Sequence, residues 1–237
     1  MTRKLLVLGG MHGNETLGIE LVRLLQTKPI PGVETALLNM QAIAANVRFV
    51  EQDLNRSFPG TDASDDYETK RAAEVLAMCG GYDVVFDFHN TGCPDNDCSF
   101  VGSDCEPLLF DVASYCKVPR VIVADYDCLN KYAPNCISIE ISFSSPVCDA
   151  QYWYELIKQL ATRESLMPAT DVTKFRFAYR ISQDDKVKYD LPSCDLRAFV
   201  PLDRKLAAKL GVATPAYPIF IGDNLTPYNY GGIVNKI

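Results

Sequence analysis

Two histidines are the only imidazoles in the sequence, and each follows an apolar run. The first, His12, stands in G-G-M-H-G-N-E at residues 9–15, three positions before Glu15. At the entrance of a helix this spacing lets both side chains converge on one point. Imidazole nitrogen and carboxylate oxygen bind zinc at roughly 2 Å. The alternative is structural, with Glu15 a favourable charge in the first helical turn and His12 a polar loop residue.

The second histidine, His89, follows Asp87 in D-F-H-N-T at residues 87–91. Residues two apart in a strand point to one face, and a neighbouring carboxylate commonly orients a metal-binding histidine. The alternative is a histidine in a surface loop. Together with His12 and Glu15, His89 would supply three ligands and leave a fourth position for water, as in catalytic zinc sites. One zinc ion per chain is therefore the expected cofactor, although similar ligands accept other divalent ions.

Two arginines enclose a third polar segment, R-F-V-E-Q-D-L-N-R at residues 48–56. Arginine binds carboxylates through two parallel hydrogen bonds, so Arg56 with Asn55 would suit a clamp for an acidic substrate. Arg48 would instead polarise a carbonyl oxygen. Taken alone, this segment is more simply interpreted as a solvated charged loop.

A carboxylate also interrupts an apolar segment, at Glu140 in S-I-E-I-S. Burying a carboxylate is costly without a compensating role. A general base beside a metal-bound water is one such role. The alternative is an edge strand with Glu140 facing solvent.

The elements that must position these residues alternate along the chain. Periodicity and composition predict strands at residues 4–9, 33–39, 82–88, 119–124 and 136–143, and helices at residues 14–26, 67–78, 106–116 and 151–163. This alternation predicts an α/β fold with a mixed, mainly parallel sheet and helices on both faces. Ligands bind such sheets at the carboxyl edge of the strands.

The pattern changes near Pro168. Short β-like runs follow at residues 175–181 and 198–201, with a helix-sized stretch at 203–210. We therefore predict a catalytic domain at residues 1–167 and a small β-rich domain at residues 168–237, which would narrow the entrance to the site.

Composition limits the class of protein. The chain has 237 residues, 48% of them hydrophobic, and a net charge of −7, which argues against nucleic-acid binding. No apolar run approaches the length of a membrane span, so no membrane partner is expected. The nine cysteines are interpreted as reduced thiols of a cytoplasmic protein. A homo-oligomer is compatible with the sequence.

Taken in order, the motifs resemble the aspartoacylase/succinylglutamate desuccinylase family, whose core is similar to that of zinc carboxypeptidases. The resemblance rests on residues 9–15, 48–60, 67–74, 87–91, 139–141 and 216–220. It implies a zinc-dependent amidohydrolase that deacylates a small anionic N-acyl amino acid, with a zinc-bound water as nucleophile.

The family's functional residues carry over onto matching positions. The resemblance implies zinc ligands at His12, Glu15 and His89, a general base at Glu140, a carbonyl-polarising arginine at Arg48, carboxylate-binding residues at Asn55 and Arg56, and a substrate-contacting tyrosine, matched by position only, at Tyr126.

Some positions depart from the family pattern. Aspartoacylases carry another carboxylate-binding arginine about ten residues before the base, where this chain has Asn130 followed by Lys131. A lysine would replace it only as a point charge. The family's C-terminal substrate tyrosine has two candidates, Tyr228 and Tyr230. Because of these differences the acyl group and the amino acid stay open.

Two other functions share these motifs. One is a zinc carboxypeptidase acting on short peptides, which needs an open cleft. The other is a non-catalytic metal- or ligand-binding relative. The presence of all three proposed ligands together with Glu140 argues against the second.

Overall fold

The apolar segments pair into one sheet in a computed structural model that describes residues 3–223 and 229–237. The strands in this part of the chain are β1 (Leu5–Gly9), β2 (Val33–Leu37), β3 (Val84–Thr91), β4 (Cys98–Gly102), β5 (Arg120–Ala124), β6 (Cys136–Ser142), β7 (Thr173–Ser182), β8 (Ala216–Ile219) and β9 (Asn229–Lys236). Their spatial order is β2-β1-β3-β6-β4-β5-β7-β9-β8.

Most neighbouring strands run parallel. β1 pairs in parallel with β2 and β3, β3 with β6, β4 with β5, and β5 with β7. The pairs β4–β6, β7–β9 and β8–β9 are antiparallel. The predicted mixed, mainly parallel sheet is therefore confirmed.

Helices cover both faces of the sheet. Within the described residues they are α1 (Thr16–Thr27), α2 (Met40–Ala45), α3 (Tyr67–Met78), α4 (Leu108–Tyr115), α5 (Leu129–Tyr132), α6 (Ala150–Thr162), α7 (Gln183–Lys188) and α8 (Arg204–Leu210). Alternate side chains of β1 point to opposite faces of the sheet. Val7 belongs to the apolar cluster that contains Trp153 of α6, and Leu8 to the cluster that contains Val75 of α3. None of these helices is long and apolar enough to cross a membrane.

Glycines let helix α1 lie directly against the sheet. A Cβ added to Gly9 would lie 2.2 Å from the carbonyl oxygen of Gly18, and one added to Gly18 would lie 2.8 Å from Cβ of Phe88. Gly10 has a φ of 74°, which side-chain-bearing residues rarely adopt. The chain therefore turns sharply after β1 and leaves residues 11–15 at the carboxyl edge of the sheet.

The last strands extend the same sheet. β7, β9 and β8 pack with α8 around an apolar cluster that includes Ile181, Leu206 and Ile233. The division into domains at residues 1–167 and 168–237 stays a prediction.

The β-like run predicted at residues 198–201 is wrong. Residues 198–200 form a turn and bend in which Phe199 has a φ of 55°, in the left-handed region. The turn is fixed because the Phe199 backbone N–H donates to the Pro218 carbonyl and its ring packs on Phe175. Tertiary contacts therefore outweigh the local preference for a strand.

Candidate active site

Strand register brings the separate motifs to one edge of the sheet. β3 continues to Thr91, three residues beyond its predicted end, so His89 lies within the strand and pairs with Glu140 of β6. β6 lies between β3 and β4, and the edge-strand interpretation of Glu140 is therefore wrong. His12, Glu15, His89 and Glu140 all line one cavity.

The three predicted metal ligands form a buried cluster. His12, Glu15 and His89 are at most 3% exposed, and their candidate ligand atoms all lie within 4.8 Å of one another. Nδ1 of His12 lies 2.7 Å from Oε1 of Glu15, and Nδ1 of His89 lies 2.9 Å from Oε2. Two imidazoles and one carboxylate are a donor set that suits zinc.

A carboxylate holds the far nitrogen of each imidazole ring. Nε2 of His12 lies 3.0 Å from Oδ1 of Asp53, and Nε2 of His89 lies 2.7 Å from Oδ2 of Asp87. Such contacts fix the ring so that Nδ1 faces the metal position. The Asp87 contact matches the sequence argument. The Asp53 contact was missed, because its only sequence signal is a carboxylate in a segment 41 residues away.

Opposite charges dominate the electrostatics of the cluster. Burial alone would raise the pKa of Glu15, but the charges of His12 and His89 hold that pKa well below its usual range. Burial alone would lower the pKa of His89, but Asp87 and Glu15 raise it well above its usual range. Glu15 is therefore the anion that both imidazole rings share.

Arg48 joins this network from the segment after α2. Its Nη1 donates to Oε1 of Glu15 at 3.1 Å, while Nε and Nη2 donate to Oδ2 of Asp53, each at 3.2 Å. Although burial opposes the shift, these two carboxylates raise the pKa of Arg48. Burial likewise opposes the low pKa of Asp53, which the charges of His12, Arg48 and Arg56 hold well below its usual range.

Glu140 is half-buried and lines the cavity. Burial is the main cause that raises its pKa to about 8, and the charges of Glu15 and Asp223 add to the shift. His89 and Arg48 oppose it. A carboxyl group whose pKa is raised in this way is suited to taking up and releasing a proton.

Asn55, Arg56 and Tyr126 also line the cavity, and Arg56 is exposed. The guanidinium carbon of Arg56 lies 4.6 Å from the centre of the Tyr126 ring. Burial raises the pKa of Tyr126 to about 12, against the opposing charge of Arg56, so its phenol keeps its proton. All four residues expected to contact substrate, these three and Arg48, therefore line one cavity.

Neither Asn130 nor Lys131 offers a second carboxylate clamp. The buried amide of Asn130 donates to the carbonyls of Phe100 at 3.1 Å and Cys136 at 3.2 Å, so it fastens strands to α5. Lys131 is exposed, and its Nζ lies 2.6 Å from Oδ1 of Asp127, away from the cavity lining.

Of the two candidate tyrosines, Tyr228 lies outside the described residues. Tyr230 packs beside α8, with Lys186 Nζ 4.9 Å from its ring centre, and is not among the described residues that line the cavity.

One wall of the cavity was not anticipated from the sequence. It consists of Phe100, Phe177, Arg180, Phe220, Gly231 and Gly232. Phe100 stacks between the other two phenylalanines, with ring centres 6.3 Å from Phe177 and 6.1 Å from Phe220. These residues lie on β4, β7, β9 and the loop after β8, and no local motif marks them.

The fold and the site agree with the comparison to known families. The sequence model of the succinylglutamate desuccinylase/aspartoacylase catalytic domain matches residues 1–178 of the 237. The chain therefore belongs to this family, which confirms the resemblance.

Curated relatives share parts of the sequence. The N-acyl-aromatic-L-amino acid amidohydrolase (carboxylate-forming) of Rattus norvegicus is 35% identical over 130 residues, 47% of this chain and 41% of the relative. A probable aspartoacylase of Trichodesmium erythraeum (strain IMS101) is 26% identical over 168 residues, 65% of this chain and 55% of the relative. The matched segments thus span about half the length of these relatives.

A solved structure extends the likeness to the whole chain. The succinylglutamate desuccinylase of Chromobacterium violaceum superposes with a TM-score of 0.74 at 18% identity, covering 100% of this chain and 85% of that chain. At that identity the likeness supports the fold.

Proposed function

We propose that this chain is a zinc-dependent amidohydrolase that removes the acyl group from small N-acyl amino acids. The observation that carries this proposal is one cavity that holds the His12–Glu15–His89 cluster, Glu140 and Arg56 together. The names of the related amidohydrolase and probable aspartoacylase point to the same chemistry.

His12, Glu15 and His89 would hold the zinc ion. Bound there, zinc would supply a Lewis acid that lowers the pKa of water and polarises an amide carbonyl. Asp53 and Asp87 keep the two imidazole rings turned toward Glu15, so the ligand set is preorganised by the chain itself.

Glu140 and Arg48 then perform the steps at the amide. Glu140 accepts the proton of the attacking water and passes it to the leaving amine, so that one carboxylate serves as base and then as acid. Arg48 donates hydrogen bonds to the carbonyl oxygen as negative charge develops there. Its contacts with Asp53 hold the guanidinium plane beside the cluster.

The part of the cavity lined by Asn55, Arg56 and Tyr126 would bind the amino-acid half of the substrate. Asn55 and Arg56 hold its carboxylate, and the protonated Tyr126 hydroxyl offers a further donor. The aromatic residues Phe100, Phe177 and Phe220 favour an apolar group in the remaining space.

A substrate panel tests this function. Zinc-loaded protein is assayed with N-acetyl-L-phenylalanine, N-acetyl-L-aspartate, N-succinyl-L-glutamate and an unblocked dipeptide, and amine release is measured. We expect at least one N-acyl amino acid to be hydrolysed faster than the dipeptide. Chelation should abolish this activity, and added zinc should restore it. Faster cleavage of the dipeptide, or no cleavage of any N-acyl amino acid, would contradict the proposal.

A further inference from the structure

An irregularity in strand β7 turns Arg180 toward the cavity. In a regular strand the same residue would face the opposite side of the sheet. Residues three apart in a regular strand face opposite sides of the sheet. Here Phe177 pairs with Val234 and Tyr179 with Ile233, so the register shifts between them. An extra residue in one strand reverses the alternation beyond it. Phe177 and Arg180 consequently share a face, and both line the cavity.

The partner strand leaves this face open. Arg180 pairs with Gly232, and both Gly231 and Gly232 line the cavity. A Cβ on Gly232 would lie 2.8 Å from the Phe177 ring. Gly232, directly opposite Arg180, has no side chain that could compete with Phe177 and Arg180 for this face.

No protein carboxylate of the described residues forms an ion pair with Arg180, although its strand neighbour Arg176 pairs with Asp125 at 3.3 Å. The guanidinium carbon of Arg180 lies 5.9 Å from the centre of the Tyr126 ring, which Arg56 approaches to 4.6 Å. Two guanidiniums thus approach one ring at the edge of one cavity. Such an arrangement attracts a carboxylate from solution.

The charged groups are distributed unevenly along the cavity lining. Asp223 lines the side near Glu140 and raises the pKa of that group. Arg48, the third arginine of the described lining, is engaged by Glu15 and Asp53. Arg56 and Arg180, the other two, are exposed, so a substrate carboxylate finds its cationic partners there.

We propose that Arg180 binds the carboxylate of the substrate together with Arg56, so that the C-terminal strands complete the substrate-binding site. This inference rests on the proposed function, since it takes the substrate to be an N-acyl amino acid with a free carboxylate. Arg180 supplies the second cation that the buried Asn130 and the outward-facing Lys131 do not.

The test compares an acid with its amide. Wild type and Arg180→Gln are assayed with the N-acetyl amino acid that wild type hydrolyses best and with the corresponding N-acetyl amino acid amide. For the acid, loss of one charged contact should raise KM about tenfold while kcat changes by less than about twofold. For the amide, both constants should stay unchanged. Arg180→Lys should restore part of the affinity.

A matched control lies on the opposite face of the same strand. Arg176→Gln removes the same charge away from the cavity and should behave as wild type. Unchanged KM for the acid in Arg180→Gln, when Arg56→Gln raises it, would overturn the inference while leaving the amidohydrolase activity intact. An equal loss for acid and amide would indicate a merely structural role and would also overturn it.

A binding measurement separates this inference from the proposed function. If zinc-loaded wild type hydrolyses no N-acyl amino acid, the proposed function fails. Titration calorimetry with N-acetyl-L-phenylalanine and N-acetyl-L-aspartate still tests Arg180. Affinity about tenfold weaker in Arg180→Gln than in Arg176→Gln would uphold the carboxylate contact. Equal affinity in the two variants, or no binding to wild type, would overturn it.

Discussion

On one side of the cavity, the segment after β1 presents His12 and Glu15 and strand β3 presents His89, and all three are almost completely buried. On the other side, β7 presents Arg180 opposite Gly232 of β9, and Arg180 is exposed and forms no ion pair with a carboxylate of the described residues. The first side is held by a continuous set of hydrogen bonds from Asp87 to Asp53. The second depends on a strand irregularity and two glycines.

The difference between the two sides corresponds to a division between the groups that would carry out the reaction and the groups that would recognise the substrate. Groups that bind a metal and move a proton need fixed positions away from water, because charge interactions strengthen there. Groups that recognise a substrate carboxylate act at the rim, where each contact contributes less. Changes on the buried side should therefore abolish activity, whereas changes on the exposed side should alter affinity.

The largest effect is expected from removing the shared carboxylate. Glu15→Gln leaves two imidazoles and Arg48 without their common anion and should lose most of the bound zinc and all detectable turnover. Zinc content by mass spectrometry and amide hydrolysis measure this. Glu51→Gln is the control, because Glu51 is exposed and belongs to a different acidic group. A Glu15→Gln protein that keeps about one zinc per chain would contradict the proposed ligand set.

A smaller effect is expected from the carboxylate behind His89. Asp87→Asn weakens the 2.7 Å contact with Nε2 of His89 and should lower zinc affinity about 10- to 100-fold. Competition with a fluorescent chelator measures the affinity. Asp83→Asn, at the exposed amino end of β3, should leave it unchanged. Equal zinc affinities in the two variants would show that ring orientation does not depend on Asp87.

The segment that carries Asn55 and Arg56 provides an intermediate case. Fully buried Glu68 accepts from the backbone N–H groups of residues 50–52 and from the amide of Asn39. Glu68→Gln turns one acceptor into a donor and should lower the free energy of unfolding by about 1–3 kcal/mol. KM should rise as well, because the loosened segment carries Asn55 and Arg56.

Urea denaturation checks the stability change. Glu74→Gln is the control on the same helix, because its side chain is 55% exposed, and it should change stability by less than about 0.5 kcal/mol. A Glu68→Gln protein as stable as this control would show that the buried carboxylate does not anchor the segment.

The smallest effect is expected on the side of the cavity that carries Arg180. Gly232→Ala places a Cβ against the Phe177 ring, which must shift, so KM should rise a few-fold and stability should fall by about 1 kcal/mol. Gly80→Ala adds the same atom where nothing lies within 4 Å and should change neither. A Gly232→Ala enzyme with lost zinc or collapsed kcat would contradict the separation between the two sides.

The same division explains what the sequence predicts. His12 and Glu15 lie in one motif, and Asp87 and His89 alternate on one strand, so local spacing suffices to group them. Glu140 could be assigned to the site because a carboxylate inside an apolar strand calls for a role and because the position matches the family's general base. The helix at residues 67–78 coincides with α3 for the same local reason.

The rest depends on contacts between distant segments. The role of Asp53 emerges only when its loop folds back onto His12. The face of the sheet on which Arg180 lies depends on the register shift between Phe177 and Tyr179. No residue pattern in β7 predicts that shift. The amide of Asn130 donates to the carbonyls of Phe100 and Cys136, and the residue type alone does not predict these contacts.

The central claim is that Glu140 moves the proton at a metal centre formed by His12, Glu15 and His89. Its most direct test measures zinc content and turnover on the same samples of wild type and Glu140→Gln. We predict that Glu140→Gln keeps its zinc and that its kcat for the best N-acyl amino acid falls roughly 10²- to 10⁴-fold. Full zinc content with near-normal kcat would contradict the account.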